Sequence, residues 1–171
     1  EITGMRLLGL DPGLRATGWG VIEAEGNSLS HVADGVVRPD DKAPLSDRLA
    51  ALHAELRHIV ETFAPDEAAV EETFANRNPA STLKLGQARG VVMLAPAQAG
   101  IPVAEYSANV IKKSLVGAGH ADKTQIGAMV RMLLPGSAAD SADAADALAV
   151  AVCHAHHLTP RRRWAGGAAE E

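Results

Sequence analysis

Four carboxylates in this sequence lie beside core-forming segments, where an isolated charge is costly. Asp11 and Glu71 each end a short apolar run, and Asp143 and Asp146 lie in an alanine-rich stretch that is typical of a buried helix. Acids next to a core are usually paired or bound to a cation, because burial removes their hydration. Three segments that each present such an acid therefore predict one shared metal site.

The apolar pattern predicts a sheet with helices on its faces. Strands are expected at about residues 5–11, 19–22, 29–37, 67–71 and 101–105. Helices are expected at about residues 45–63, 78–99, 107–116, 123–134 and 140–157. Pro96 is expected to end or kink the second helix. This order of strands and helices indicates an α/β fold.

Length and composition favour one domain. With 171 residues, 47 % of them hydrophobic, the chain is long enough for a core of its own. We expect that domain to span residues 5–158, after a cloning remnant at 1–4 and before a flexible tail at 159–171. No apolar run is long enough to cross a bilayer and no secretory signal opens the chain, so we expect a cytoplasmic protein without a membrane partner. The single cysteine, Cys153, fits a reducing compartment.

The spacing of the four acids predicts that they share one location. The carboxyl ends of parallel strands meet at one edge of a sheet, so Asp11 and Glu71 would lie ~5 Å apart if their strands are neighbours. Asp143 and Asp146 are three residues apart, which places both on one helix face with Cβ atoms roughly 5–6 Å apart. Glu72 should face away from Glu71 on the strand, although a bulge could exchange the two.

A cation would remove the repulsion within such a cluster of acids. Ligands that are all oxygen select hard ions, Mg²⁺ or Mn²⁺, over zinc. Two such ions held ~3.5–4 Å apart activate water and stabilise the leaving oxygen in phosphoryl displacement. Each acid alone also has an ordinary structural interpretation: Asp11 in an Asp-Pro-Gly turn, Asp143 at the positive end of a helix dipole, and Glu71 as an exposed strand end.

The net charge of −5 argues against a nucleic-acid partner, but the distribution of charge argues for one. Residues 77–131 contain seven Lys and Arg against two acids, a net charge of +5 that leaves −10 on the rest of the chain. A basic middle on an acidic chain predicts one positive face beside the carboxylates. Ordinary solvated helix charges explain the same composition equally well.

Four motifs carry a resemblance to a known family. They occupy residues 8–13 with Thr17-Gly18, 80–90, 116–123 and 142–149. Through them the chain resembles the RuvC family of bacterial Holliday-junction resolvases, in the ribonuclease-H-like/integrase superfamily. The resemblance implies a five-stranded mixed sheet flanked by helices on both faces. It also implies a homodimer that nicks two opposed strands of a four-way DNA junction and works with the branch-migration proteins RuvA and RuvB.

The resemblance further implies roles for individual residues. The catalytic acids, which would bind two Mg²⁺ ions with Mn²⁺ as a substitute, are Asp11, Glu71, Asp143 and Asp146. Lys112 and Lys123 match the family's lysines near the scissile phosphate, and segment 78–98 matches its dimerisation helix. The residues expected to contact DNA are Phe74, Arg77, Lys84, Arg89 and Lys113. Phe74 could instead anchor its loop in the core, and the four basic residues could simply keep the surface soluble.

Four more ionisable residues receive structural interpretations. Asp140 is expected to cap the last helix rather than to bind metal. His154 and His157 share a helix face with His156 beside them, and we expect structural or solvent-facing roles for these three.

Two other functions are open to such a sequence. Asp-x-Gly after a first strand also occurs in actin-like sugar kinases and ATPases, but these need a second lobe, for which 171 residues are too few. A non-catalytic junction-binding protein would not need four converging acids, which repel DNA. ATP turnover without DNA would favour the kinase.

Overall fold

The computed structural model describes residues 4–72, 78–117, 119, 121–137 and 141–158. The strands are Met5–Asp11 (β1), Thr17–Glu25 (β2), Ser28–Val37 (β3), Glu67–Glu71 (β4) and Val103–Tyr106 (β5). The helices are Leu45–Phe63 (α1), Pro79–Gln98 (α2), Ala108–Val116 (α3), Lys123–Leu133 (α4) and Ala142–His157 (α5). The predicted order of elements is confirmed, although β2 is longer than predicted and β5 starts two residues later. Within the described ranges, no helix combines the length and apolar character that a membrane span requires.

The five strands form one mixed sheet in the order β3-β2-β1-β4-β5. The first three strands make an antiparallel meander, whereas β4 is parallel to β1 and β5 is parallel to β4. Parallel neighbours need crossover connections, which α1 and α2 supply on the way into β4 and β5. The predicted α/β class and the five-stranded mixed sheet are confirmed.

Alternate side chains of β1 face two different layers of helices. Leu8 and Leu10 pack with α1 and α2, whereas Leu7 packs with α3, α4 and α5. Helices therefore cover both faces of the sheet, as predicted. Asp11 follows the same alternation as Leu7, so it points toward the α5 side of the sheet.

Helix ends differ slightly from their predicted positions. Helix α5 begins after Ser141, whose hydroxyl accepts a hydrogen bond from the backbone N–H of Ala144 at 3.1 Å. The prediction that Asp140 caps this helix is wrong, because Ser141 holds the capping position. Asp140 itself lies outside the described residues. Pro96 lies in the last turn of α2, which ends two residues later at Gln98.

Candidate active site

Glycines in β1 and β2 bring α5 into direct contact with the backbone of the sheet. A Cβ atom on Gly9 would lie 2.1 Å from the backbone oxygen of Ala147, and one on Gly18 would lie 2.0 Å from that of Asp143. Only a hydrogen atom fits at these two positions, and this close approach holds the start of α5 over the strand ends. Sequence reasoning missed these positioning residues, although glycine inside a strand often marks a close backbone approach.

The pairing of β1 with β4 sets the first two acids side by side. Leu10 pairs with Val70 in the parallel register, so Asp11 and Glu71 follow at the same edge of the sheet. Their carboxyl groups lie close enough for each to shift the pKa of the other. The structure therefore brings these two acids together, as the spacing predicted.

Helix α5 adds the other two acids from its first two turns. Asp146 lies with Asp11 and Glu71 on the wall of a cavity of about 290 Å³, which we call the acid cavity. Asp143 is not part of that wall, but its charge acts on both Asp11 and Asp146. Glu72 is also absent from the wall, which favours Glu71 as the functional member of the pair.

Burial and mutual repulsion raise the pKa values of the acids in the cavity. The pKa of Asp11 is raised to about 8, first by burial and then by the charges of Glu71 and Asp146. Burial also raises the pKa of Glu71, opposed by its hydrogen bond with Asp11, and that of Asp146, opposed by the charge of Lys123. Several perturbed acids in one cavity are typical of a functional site.

Two lysines face these acids across the cavity. Lys123, the first residue of α4, has its Nζ 3.3 Å from Oδ2 of Asp146, and this carboxylate raises the pKa of Lys123. Lys112 of α3 lines the same cavity, and its charge acts to lower the pKa of Glu71. Lys113 is not part of the wall, because consecutive helical residues point ~100° apart.

The acids fit a hard divalent cation chemically, although they are not arranged around one. No three His, Cys, Asp or Glu side chains in the described part of the chain converge closely enough to hold an ion. The carboxylate of Asp146 is paired with Lys123, whereas Asp11 and Glu71 lie against each other. A divalent cation would offset the mutual repulsion of these acids, and carboxylate oxygens suit Mg²⁺ or Mn²⁺.

The other residues predicted to contact DNA are not brought into the acid cavity. Arg89 of α2 forms an ion pair with Glu105 of β5, which occupies part of its guanidinium. Lys84 lies on the wall of a different cavity, near the start of α2. Phe74 and Arg77 fall outside the described residues.

The histidines of α5 have partners within the protein. His154 is 5 % exposed, and its ring nitrogens lie 2.7 Å from Oε2 of Glu67 and 2.8 Å from the hydroxyl of Tyr106. His156 and His157 have the hydroxyl of Ser114 and the backbone oxygen of Cys153 as neighbours. These contacts support the structural roles that were expected.

Comparisons with known proteins agree with this geometry. The family model for crossover junction endodeoxyribonuclease RuvC matches residues 7–154. RuvC of Paramagnetospirillum magneticum is 63 % identical over 161 residues, which are 94 % of this chain and 97 % of that protein. RuvC of Rhodospirillum rubrum is 66 % identical over 153 residues, 90 % of each chain. The solved structure of Thermus thermophilus RuvC in complex with a Holliday junction substrate matches with a TM-score of 0.84 and 35 % identity, covering 90 % of this chain and 94 % of that chain.

The region matched by the family model contains every residue that lines the acid cavity. It includes the ends of β1 and β4 that carry the first two acids, and the part of α5 that carries the other two. The five-stranded mixed sheet with its flanking helices is the ribonuclease-H-like arrangement of the matched RuvC structures. This chain therefore belongs to the RuvC family of crossover junction endodeoxyribonucleases.

Proposed function

We propose that the protein is a metal-dependent endonuclease that resolves Holliday junctions by nicking two opposed strands symmetrically. The observation that carries this proposal is the acid cavity, where three carboxylates from β1, β4 and α5 face two lysines. Carboxylates bind cations and lysines bind phosphate, so one cavity suits both requirements of phosphoryl displacement. Family membership supports the substrate, because the Thermus thermophilus relative has been solved with a Holliday junction.

The four acids are proposed as the ligands of two Mg²⁺ ions, for which Mn²⁺ would substitute. When bound, two such ions supply activation of water at neutral pH and offset the charge on the leaving 3′ oxygen. The contribution of the chain is to bring the four acids to one edge of the sheet, from which their side chains would turn toward the ions. Asp11 and Glu71 are fixed by paired strands, whereas Asp143 and Asp146 are fixed by a helix that lies directly on the sheet.

The two lysines are proposed to hold the scissile phosphate and to stabilise the charge that develops on it. Lys112 lies on the cavity wall, and Lys123 reaches the cavity from the first turn of α4. The side chain of Lys123 is 82 % exposed, so it can leave Asp146 for a phosphate when a cation binds that carboxylate. An ammonium group on a flexible stem suits this movement.

A homodimer formed through α2 is proposed to place two acid cavities on one junction. Leu83 and Leu94 are 65 % and 46 % exposed, and they share a helix face with Gly86 and Gly90. A Cβ atom on either glycine would meet nothing within 4 Å, so a second helix can approach closely there. Cytoplasmic action together with RuvA and RuvB is proposed from family membership alone.

The decisive experiment compares a labelled four-way junction with linear duplex of the same sequence, with and without Mg²⁺. We expect paired nicks in opposed strands of the junction when Mg²⁺ is present, and binding without cleavage in EDTA. Equal cutting of linear duplex would contradict junction selectivity. ATP hydrolysis without DNA would favour the kinase alternative.

Lys123→Ala is expected to slow cleavage by about 10²–10³-fold, because it removes a cation that stabilises the developing charge. Junction affinity should fall by less than about tenfold, since a single phosphate contact contributes no more than that at 0.1 M salt. Single-turnover cleavage and binding in EDTA separate the two effects. Lys113→Ala is the matched control, because Lys113 lies outside the acid cavity. A loss of affinity with an unchanged cleavage rate would show that Lys123 only binds the backbone.

The metal-free protein is expected to lose stability as the pH rises from about 4 to about 8. The pKa of Asp11 is about 8 in the folded protein against an ordinary value of 3.8. The folded state therefore binds more protons than the unfolded state in this window, so the free energy of unfolding falls as the pH rises. Mg²⁺ binds the ionised acids and should raise the melting temperature more at the upper end of this window.

Thermal denaturation in EDTA and in Mg²⁺, across the same window, measures both effects. Asp11→Asn serves as the control, because an amide does not titrate and should flatten the pH dependence in EDTA. Equal stabilisation by Mg²⁺ at both ends of the window would contradict the raised pKa of Asp11.

A further inference from the structure

A second cavity, of about 300 Å³, lies at the same end of β1 as the acid cavity but on the other face of the sheet. The loop after β1, the loop before α1 and the N-terminal turns of α1 and α2 form its walls. Helices α1 and α2 cover the face of the sheet opposite to α5. The acid cavity therefore lies on the α5 side and the second cavity on the α1 and α2 side, with the loop after β1 between them. We call the second cavity the basic cavity and define it by its charged residues, Arg15, Asp41, Arg48 and Lys84.

Positive charge is in excess in the basic cavity. Three cations face the single carboxylate of Asp41. In the part of the chain that the structure describes, neither Arg15 nor Lys84 has an ion-pair partner. Arg48 donates a hydrogen bond to the backbone oxygen of Leu14 at 3.1 Å, which ties α1 to the loop after β1. Arg15 and Lys84, both exposed on the cavity wall, are therefore available to an anion.

The rest of the wall suits a nucleic acid strand better than a small inorganic anion. Leu14 and Leu45 line the cavity and are 39 % and 37 % exposed, so apolar surface is offered beside the cations. A sugar–phosphate backbone has both an anionic and an apolar part. The N-terminal turns of α1 and α2 add partial positive charge of the same sign as the cations.

The distance between the two cavities matches a short length of one DNA strand. Arg15 is four positions after Asp11, so their Cα atoms lie at most about 14 Å apart. At about 3.4 Å of rise per nucleotide in one strand, this backbone distance corresponds to about four nucleotides.

We propose that the basic cavity binds a backbone phosphate of the cleaved strand, about four nucleotides from the bond held in the acid cavity. This inference rests on the proposed nuclease function and deepens it, because it gives the strand a second anchor across the edge of the sheet. Arg15 and Lys84 contact the phosphate. Arg48 acts as a positioning residue by holding the loop at Leu14.

Arg15→Gln tests the proposal through the salt dependence of junction binding in EDTA. We expect affinity to fall about tenfold at 0.1 M salt, and the slope of log K against log salt to fall by about one. Arg57→Gln is the matched control, because Arg57 also lies on the surface and is paired with Glu61 on α1. It removes the same charge and should leave the slope unchanged. Lys84→Gln repeats the test from α2 if the melting temperature shows that Arg15→Gln is unfolded.

Single methylphosphonate linkages, which are neutral, locate the contact on the strand. One position within about four nucleotides of the cut should weaken wild-type binding, and it should have no further effect on Arg15→Gln, since the two changes remove one interaction. Inorganic phosphate at millimolar concentration should compete poorly, which distinguishes a strand site from a site for free phosphate.

Three outcomes would overturn this assignment of the basic cavity. They are equal salt slopes for the Arg15, Lys84 and Arg57 variants, additive effects at every methylphosphonate position, and efficient competition by inorganic phosphate. Wild-type protein is measured in the same buffers. If it neither binds nor cuts the junction, the proposed nuclease function fails instead.

Discussion

Asp11→Asn is expected to abolish junction cleavage while junction binding is retained. The amide has the size of the carboxyl group, but it lacks the charge that a divalent cation needs at the centre of the acid cavity. Loss of several kcal/mol of metal-dependent stabilisation corresponds to at least about 10³-fold in rate. Binding should persist or tighten, because one charge that repels phosphate is removed. Single-turnover cleavage in Mg²⁺ and binding in EDTA measure the two quantities.

Glu72→Gln is the matched control for this experiment. Glu72 is an acid near the same strand end, but it is not part of the wall of the acid cavity. The variant should cut the junction at nearly the wild-type rate, whereas Glu71→Gln should be as inactive as Asp11→Asn. Full cleavage by Asp11→Asn would contradict the role of Asp11 as a metal ligand. An inactive Glu72→Gln together with an active Glu71→Gln would show that Glu72, and not Glu71, is the ligand.

Gly9→Ala is expected to destabilise the protein by about 3 kcal/mol, because the added methyl group has no space. Its Cβ atom would lie 2.1 Å from the backbone oxygen of Ala147 and 2.7 Å from the backbone nitrogen of Ala151. Backbone atoms cannot rotate away as a side chain can, so α5 as a whole must move. For a chain of this length, that loss lowers the melting temperature by roughly 6–12 °C. The displacement of α5 should also separate the acids and reduce cleavage in the fraction that remains folded.

Gly127→Ala is the matched control for the glycine prediction. Gly127 lies in α4, and a Cβ atom there would meet only the side chain of Arg131, at 3.6 Å. Replacing glycine by alanine inside a helix should stabilise the protein by up to about 1 kcal/mol. Thermal denaturation of both variants gives the comparison. Similar melting temperatures for Gly9→Ala and Gly127→Ala would contradict the close packing of α5 on β1.

Features with a local cause could be predicted from the sequence. The apolar runs before Asp11 and Glu71 predict strands that end at those residues, and the structure ends β1 and β4 there. The spacing of Asp143 and Asp146 predicts two acids near the start of one helix, and α5 carries them in its first two turns. In each case the deciding information lies within a few neighbouring residues.

Features that depend on contacts distant in sequence could not be predicted from spacing alone. The place where α5 meets the sheet depends on Gly9 and Gly18 together, and each is ordinary without the helix that lies across it. The two adjacent lysines of α3 look equivalent in sequence, but only Lys112 lines the acid cavity. From the sequence alone, Arg89 has no evident ion-pair partner. The packing of α2 on β5 places Glu105 beside it.

The packing of α5 on the glycines of β1 and β2 determines when the acids come together during synthesis of the chain. β1 leaves the ribosome long before α5, and half of the acids arrive only with that helix. A nascent chain therefore lacks two of the four proposed metal ligands until α5 has been synthesised. We therefore expect no cleavage before the fold is complete, because the packing of α5 on the sheet both completes the core and brings the last two proposed metal ligands to the strand ends.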